Sequence, residues 1–131
     1  NAHGVHPNHP EKYDAQNRTF MNGGVVIKHN ANQKYTSDGV SAAIFRKVCK
    51  DAGVPVQNYY NRADLAGGTT LGNVSLSHVT VPSVDIGLPQ LAMHSCYETA
   101  STQDTLSLVA AMRKYYQMQL ETVEDGSYFI A

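Results

Sequence analysis

The chain has 131 residues and a net charge of −1 with its six histidines neutral, a length suited to one domain that buries about two-thirds of its unfolded surface. That charge offers no basic footprint for nucleic acid or an anionic membrane, and no apolar run is long enough to span a bilayer. Two cysteines, Cys49 and Cys96, are too few for a disulfide framework, so a reducing, cytoplasmic setting is expected.

Residues 1 to 23 read as loop, with Pro7, Pro10, Asn17, Asn22 and Gly23 and few apolar positions. The sequence opens without a methionine in a His-rich loop, which leads to the expectation of a piece of a longer protein. Asn1-Ala2 is either native or the remnant of a cleaved tag. Gly24 to His29 is a β-branched run that predicts a buried strand. A helix is predicted over 37–52, with Thr36 or Ser37 as N-cap and Asp38 in its first turn. Val40, Ala43, Ile44, Val48 and Cys49 form its inward face, and Gly53 its stop. Val54 to Tyr60 predicts a second strand, with Pro55 near its start, where a missing N–H is tolerable. The turn Gly67 to Gly72 precedes a short helix ending near Leu76, and Val81 to Gly87 predicts a third strand.

Ser101-Thr102-Gln103-Asp104 has the spacing of a capping box, with Asp in place of the usual Glu or Gln. The helix it opens is predicted to run over 102–120 on an apolar stripe of Leu108, Val109, Met112, Tyr115, Tyr116 and Leu120. Tyr128-Phe129-Ile130 then pairs as an edge strand or frays. Strands alternating with helices imply an α/β fold, three-layered, with a parallel or mixed sheet. Three or four strands are few for a doubly wound domain, so a partial domain is expected.

His94 sits at the end of a strand-and-loop segment, where ligands and metals gather in α/β proteins, although a lone histidine there is more often a hydrogen-bonded structural residue. Glu98, one helical turn on, gives at most a second ligand, against the three or four that a zinc site needs. His3, His6 and His9 recur every three residues, but Pro7 and Pro10 argue against a helix that would cluster them. Lys28 in an apolar strand either snorkels from the strand end or reaches a pocket as a cation. Tyr35 is either a phenolic donor to a substrate oxygen or a packing residue. The glycine-rich turn at 67–72 lacks the lysine and spacing of a P-loop and reads as an anion cradle or a tight turn.

Taken together, Ala2-His3-Gly4-Val5-His6-Pro7-Asn8, then Val26-Ile27-Lys28 with Asn30, Gln33 and Tyr35, then Gly68-Thr69-Thr70-Leu71-Gly72, then Pro89-Gln90-Leu91-Ala92-Met93-His94-Ser95 with Glu98 resemble one family. In order and separation they are similar to the C-terminal part of zinc aminopeptidases of the aspartyl aminopeptidase and vacuolar aminopeptidase I type. The resemblance implies a C-terminal segment, 1–131, of an α/β/α catalytic domain with a centre of two divalent metals. Zinc is the first choice, and manganese or cobalt also suits such ligands. It implies that His94 is a metal ligand and that His3, Lys28 and Tyr35 line the substrate site. Lys28 would face an acidic side chain, His3 and Tyr35 would polarise the scissile carbonyl, and His6 would support the loop or subunit assembly. A peptide substrate and a homo-oligomer follow as implied partners. The aspartate that the family pattern places two residues before Ala2, and the other ligands, are not in this sequence, so the chain alone is expected to be inactive. The alternative reading is a catalytically silent packing or assembly module.

Overall fold

The computed structural model describes residues 1–131 and has the mixed α/β character expected. Its centre is β2 (Val25–His29), flanked by β3 (Val56–Tyr60) in parallel and by β4 (Ile86–Gly87) antiparallel, in the order β3-β2-β4. A second sheet holds β1 (Ala2–His3), β5 (Pro89–Leu91) and β6 (Thr99–Ala100), with β5 in the middle, parallel to β1 and antiparallel to β6.

Alternation along β2 sends Val25 and Ile27 to one face and Val26 and Lys28 to the other. On the first face lie α1 (Gly39–Asp51) and α3 (Thr102–Gln117), which bring Ala42, Phe45, Val48, Cys49 and Ala111 against Val25 and Ile27. Each large side chain sealed there contributes roughly 1.5–3 kcal/mol. On the second face Val26 meets Ala2, Tyr35 and Tyr59. The chain can enter β2 only through glycine. Gly24 has φ +94°, and a Cβ there would lie 2.1 Å from the Pro55 carbonyl oxygen.

Helix α1 departs from expectation at its start and in its face. Its N-cap is Asp38, whose carboxylate accepts the Ser41 N–H at 2.7 Å, while the Ser41 hydroxyl accepts the Asp38 N–H at 3.0 Å. Thr36 and Ser37 lie outside it. Phe45 and Ala42 carry the buried face, while Val40 and Ala43 are exposed. Gly53 does close the helix: with φ +67° it lets its own N–H reach Lys50 O, and that of Val54 reach Cys49 O, the paired bonds of a Schellman stop.

Three further expectations are corrected. The third strand is only Ile86–Gly87, because residues 80–85 run as irregular chain held by side-chain bonds. Helix α3 stops at Gln117, short of Leu120, since residues 119–131 form an antiparallel hairpin of β7 (Leu120–Glu124) and β8 (Ser127–Ile130). Asp125-Gly126, with Gly126 at φ +77°, is the turn signal that competes with the helical pattern. The α3 stripe is also rotated. Asp104, Ser107 and Ala111 are its buried residues, and Val109 and Tyr116 face outward.

The capping box at α3 is half formed. The Ser101 hydroxyl accepts the Gln103 and Asp104 N–H groups. The Asp104 carboxylate instead accepts N–H groups some eighty residues away, from Asn22 at 2.7 Å and Gly24 at 2.8 Å. This buried acid fastens α3 to the turn that feeds β2.

Candidate functional site

Lys28 ends the apolar run of β2 on the face away from the helices, and it is 4% exposed. The antiparallel register that sets Ile27 opposite Ile86 brings Asp85 alongside it. The Lys28 Nζ lies 3.1 Å from Asp85 Oδ1, and its backbone N–H donates to Asp85 O at 2.9 Å. The second carboxylate oxygen accepts the Thr70 hydroxyl. The Asp85 N–H donates to Ser37 Oγ at 2.8 Å. A desolvated ammonium needs such a counter-charge. The Lys28 side chain does not snorkel to solvent, and its ammonium is paired inside the fold. The Tyr35 ring lies over the ammonium, with 4.4 Å from Nζ to the ring centroid.

Tyr35 is also part of a cleft of about 250 Å³, where His3, Tyr59, Asn61, Arg62 and Gly67 join it. Burial raises the Tyr35 phenol above its ordinary value, with the Asp85 charge adding to the effect and a bond from Asn61 opposing it. Burial pushes Tyr59 up to about 12. Burial also lowers the imidazole of His3, and the nearby charges of His94, the N-terminus and Lys28 lower it further. At neutral pH the cleft therefore holds a neutral imidazole and two protonated phenols, groups that can donate hydrogen bonds to a carbonyl oxygen.

His3 reaches this cleft because β1 pairs with β5, setting His3 opposite Gln90. His94 follows four residues after Gln90 in a tight turn where Ala92 and His94 both have positive φ, +53° and +68°. The Ser95 N–H closes that turn on Ala92 O at 3.0 Å. Glu98 is not a helical neighbour of His94. It comes from the irregular loop, and its Oε1 accepts the His94 N–H at 2.5 Å. The imidazole is left exposed. A zinc site draws on three or four protein ligands, and nowhere do three His, Cys, Asp or Glu side chains gather closely enough to hold an ion. The donor chemistry around His94 fits one ligand of a metal site.

His6 and His9 stand apart on the loop with ring centroids 5.5 Å apart, and His9 is 3.3 Å from Glu11. The glycine-rich turn packs tightly: a Cβ at Gly72 would lie 2.6 Å from the Thr36 side chain. Thr70 spends its hydroxyl on Asp85. The resemblance implies that His3, Lys28 and Tyr35 line one site; the structure places His3 and Tyr35 in one cleft with Lys28 behind the Tyr35 ring, and Asp85, Tyr59 and Asn61 were not foreseen. The available signal was Asp85 itself, a lone acid between Val84 and Ile86 that mirrors the lysine of β2.

Residues 1–116 match the family model described as "Aminopeptidase I zinc metalloprotease (M18)". Among curated relatives, a "Probable M18 family aminopeptidase 2" of Pseudomonas aeruginosa (strain UCBPP-PA14) is 47% identical over 116 residues, which are 88% of this chain and 27% of that protein. The chain therefore spans about a quarter of the length of the curated relatives it matches. Among solved structures, a chain of the Ape4 and Nbr1 complex superposes with a TM-score of 0.86 at 36% identity, covering 88% of this chain and 22% of that one. The S. cerevisiae mApe1 dodecamer superposes with a TM-score of 0.76 at 23% identity, covering 88% and 25%, a likeness of fold.

Proposed function

From the premise that the chain belongs to the aminopeptidase I zinc metalloprotease (M18) family, we propose that residues 1–131 are the C-terminal segment of the catalytic domain of a metal-dependent aminopeptidase. The whole protein removes N-terminal residues from peptides. The observation that carries this reading is the convergence of His3, Tyr35 and Lys28 on one side of β2, with His94 in the turn that follows β5, the strand paired with β1.

His94 is the one metal ligand this chain supplies, and the remaining ligands of a two-metal centre come from the rest of the protein. The chemistry that zinc supplies when bound is Lewis-acid polarisation of the scissile carbonyl; manganese and cobalt suit the same ligand types. His3, neutral because burial depresses its basicity, donates one N–H toward the carbonyl oxygen. Tyr35, kept protonated, donates its phenol to the same atom or orients the substrate. Lys28 supplies the positive charge that recognises an acidic N-terminal side chain. By itself the chain, with a single ligand, is inactive. The working protein is a homo-oligomer, an assembly supported by the dodecamer of the fold relative, and its reduced cysteines suit a cytoplasmic setting.

The test is His94→Ala in the full-length protein, with zinc measured by elemental analysis beside a melting curve. The expected result is lower zinc per subunit and loss of most peptidase activity at an unchanged melting temperature. Unchanged zinc and turnover would make His94 a structural residue.

A further inference from the structure

We infer that Asp85 is a specificity-determining residue, whose carboxylate competes with an acidic substrate side chain for the Lys28 ammonium. This rests on the proposed role of Lys28 in facing the substrate and adds to it the residue that sets how strongly that charge is felt. Two features separate Asp85 from an ordinary structural partner. The first is where the pair lies. The ring that covers the Lys28 ammonium at 4.4 Å is that of Tyr35, a wall of the cleft, so the charge sits one ring-thickness beneath the cleft.

The second feature is an asymmetry of mobility. Asp85 is fixed at every polar atom: its N–H on Ser37, its carbonyl on Lys28, one carboxylate oxygen on Lys28 and the other on Thr70. Lys28 holds its ammonium on a four-carbon stem with rotatable bonds. When a second carboxylate arrives, the base is the partner that moves and the acid stays.

A neutral N-terminal residue leaves the Lys28–Asp85 pair closed and without net charge. An acidic residue offers the ammonium a second counter-ion but brings two carboxylates around one cation, and their mutual repulsion opposes binding. Asp85 therefore moderates the preference for acidic residues and keeps neutral ones acceptable. Asp85→Asn removes the competing charge while retaining an oxygen for Thr70.

The experiment compares full-length holoenzyme with Asp85→Asn, Lys28→Met and the double variant, on paired chromogenic substrates carrying N-terminal Glu or Leu. Asp85→Asn should raise the Glu-over-Leu ratio of kcat/KM by roughly ten-fold, the scale of one charge-assisted hydrogen bond, mainly through KM for Glu. In the Lys28→Met background the same change should leave the ratio flat. Thr70→Val keeps the fold in case Asp85→Asn does not, as judged by melting. With Thr70 no longer sharing it, the carboxylate holds Lys28 harder and the ratio should fall. If Lys28→Met lowers the ratio but neither Asp85→Asn nor Thr70→Val moves it, Asp85 is structural and only this inference fails. If Lys28→Met itself leaves the ratio unmoved, the substrate role of Lys28 fails first.

Discussion

Replacing Asp104 by Ala should destabilise the chain far more than removing any exposed carboxylate. Asp104 is 1% exposed, and its two oxygens accept the N–H groups of Asn22 and Gly24 at 2.7 and 2.8 Å. It also sits in the first turn of α3, where a negative charge is favoured by the helix dipole. Hydrogen bonds to a charged group are worth about 1.5–3 kcal/mol each, so losing both costs roughly 3–6 kcal/mol. The Gly24 N–H is buried and gains no water in exchange. With a urea dependence near 1.5 kcal/mol per molar, the midpoint should fall by about 2–4 M. Asp104→Asn keeps one acceptor but points an amide donor at the second N–H, so it should fall between Ala and wild type. Urea titration followed by far-UV circular dichroism reads both variants. A midpoint shift for Asp104→Ala below about 0.5 M would refute the idea that this acid ties α3 to the entry of β2.

Two predictions concern titration and reactivity. His29 stacks on Tyr60 with its Nε2 buried and unpartnered, and burial lowers its basicity, with Arg46 adding to the effect against a raising bond from Asn58. The unfolded chain then takes up this proton first as pH falls, so stability is full above the ordinary imidazole value of about 6.5 and declines from there toward the folded-state value. His29→Leu should flatten the fall of the urea midpoint in that window, and an unaltered slope would show that the ring is solvated. Cys49 is buried and its thiol is pushed up to about 11, whereas Cys96 is exposed. Ellman's reagent should therefore count one fast thiol in the native chain and two after denaturation, with the fast one lost in Cys96→Ser.

The elements legible in sequence were those whose signal is local. The β-branched run of β2, the Gly53 stop and the Ser101 cap all announce themselves within a few residues, and each forms where expected. The misreadings have a common cause in competition over distance. The end of α3 is decided by the pairing of Gln119 with Ala131, the Asp104 carboxylate by a turn some eighty residues earlier, and the short β4 by bonds from Ser37. The site shows the same divide. His3, Lys28, Tyr35 and His94 could be named from motif and resemblance. The Lys28–Asp85 pair could not, because 57 positions separate its members and only the antiparallel register of β2 with β4 unites them.

The link between β1 and β5 has a kinetic meaning beyond its geometry. Only Ala2 and His3 pair with β5, through Pro89 and Gln90, and with the Ala2–Leu88 and Gly4–Gln90 bonds this short ladder closes a loop of almost the whole mixed sheet. Loop-closure entropy is spent before such distant contacts return any energy, so pairing of this kind belongs late in folding. The same logic run backwards makes it an early place to open, on a scale smaller than global unfolding. His3 rides on one side of that ladder and His94 follows the other. The candidate site that draws on both can loosen there while the β2 core stays shut, through a ladder of only two residue pairs.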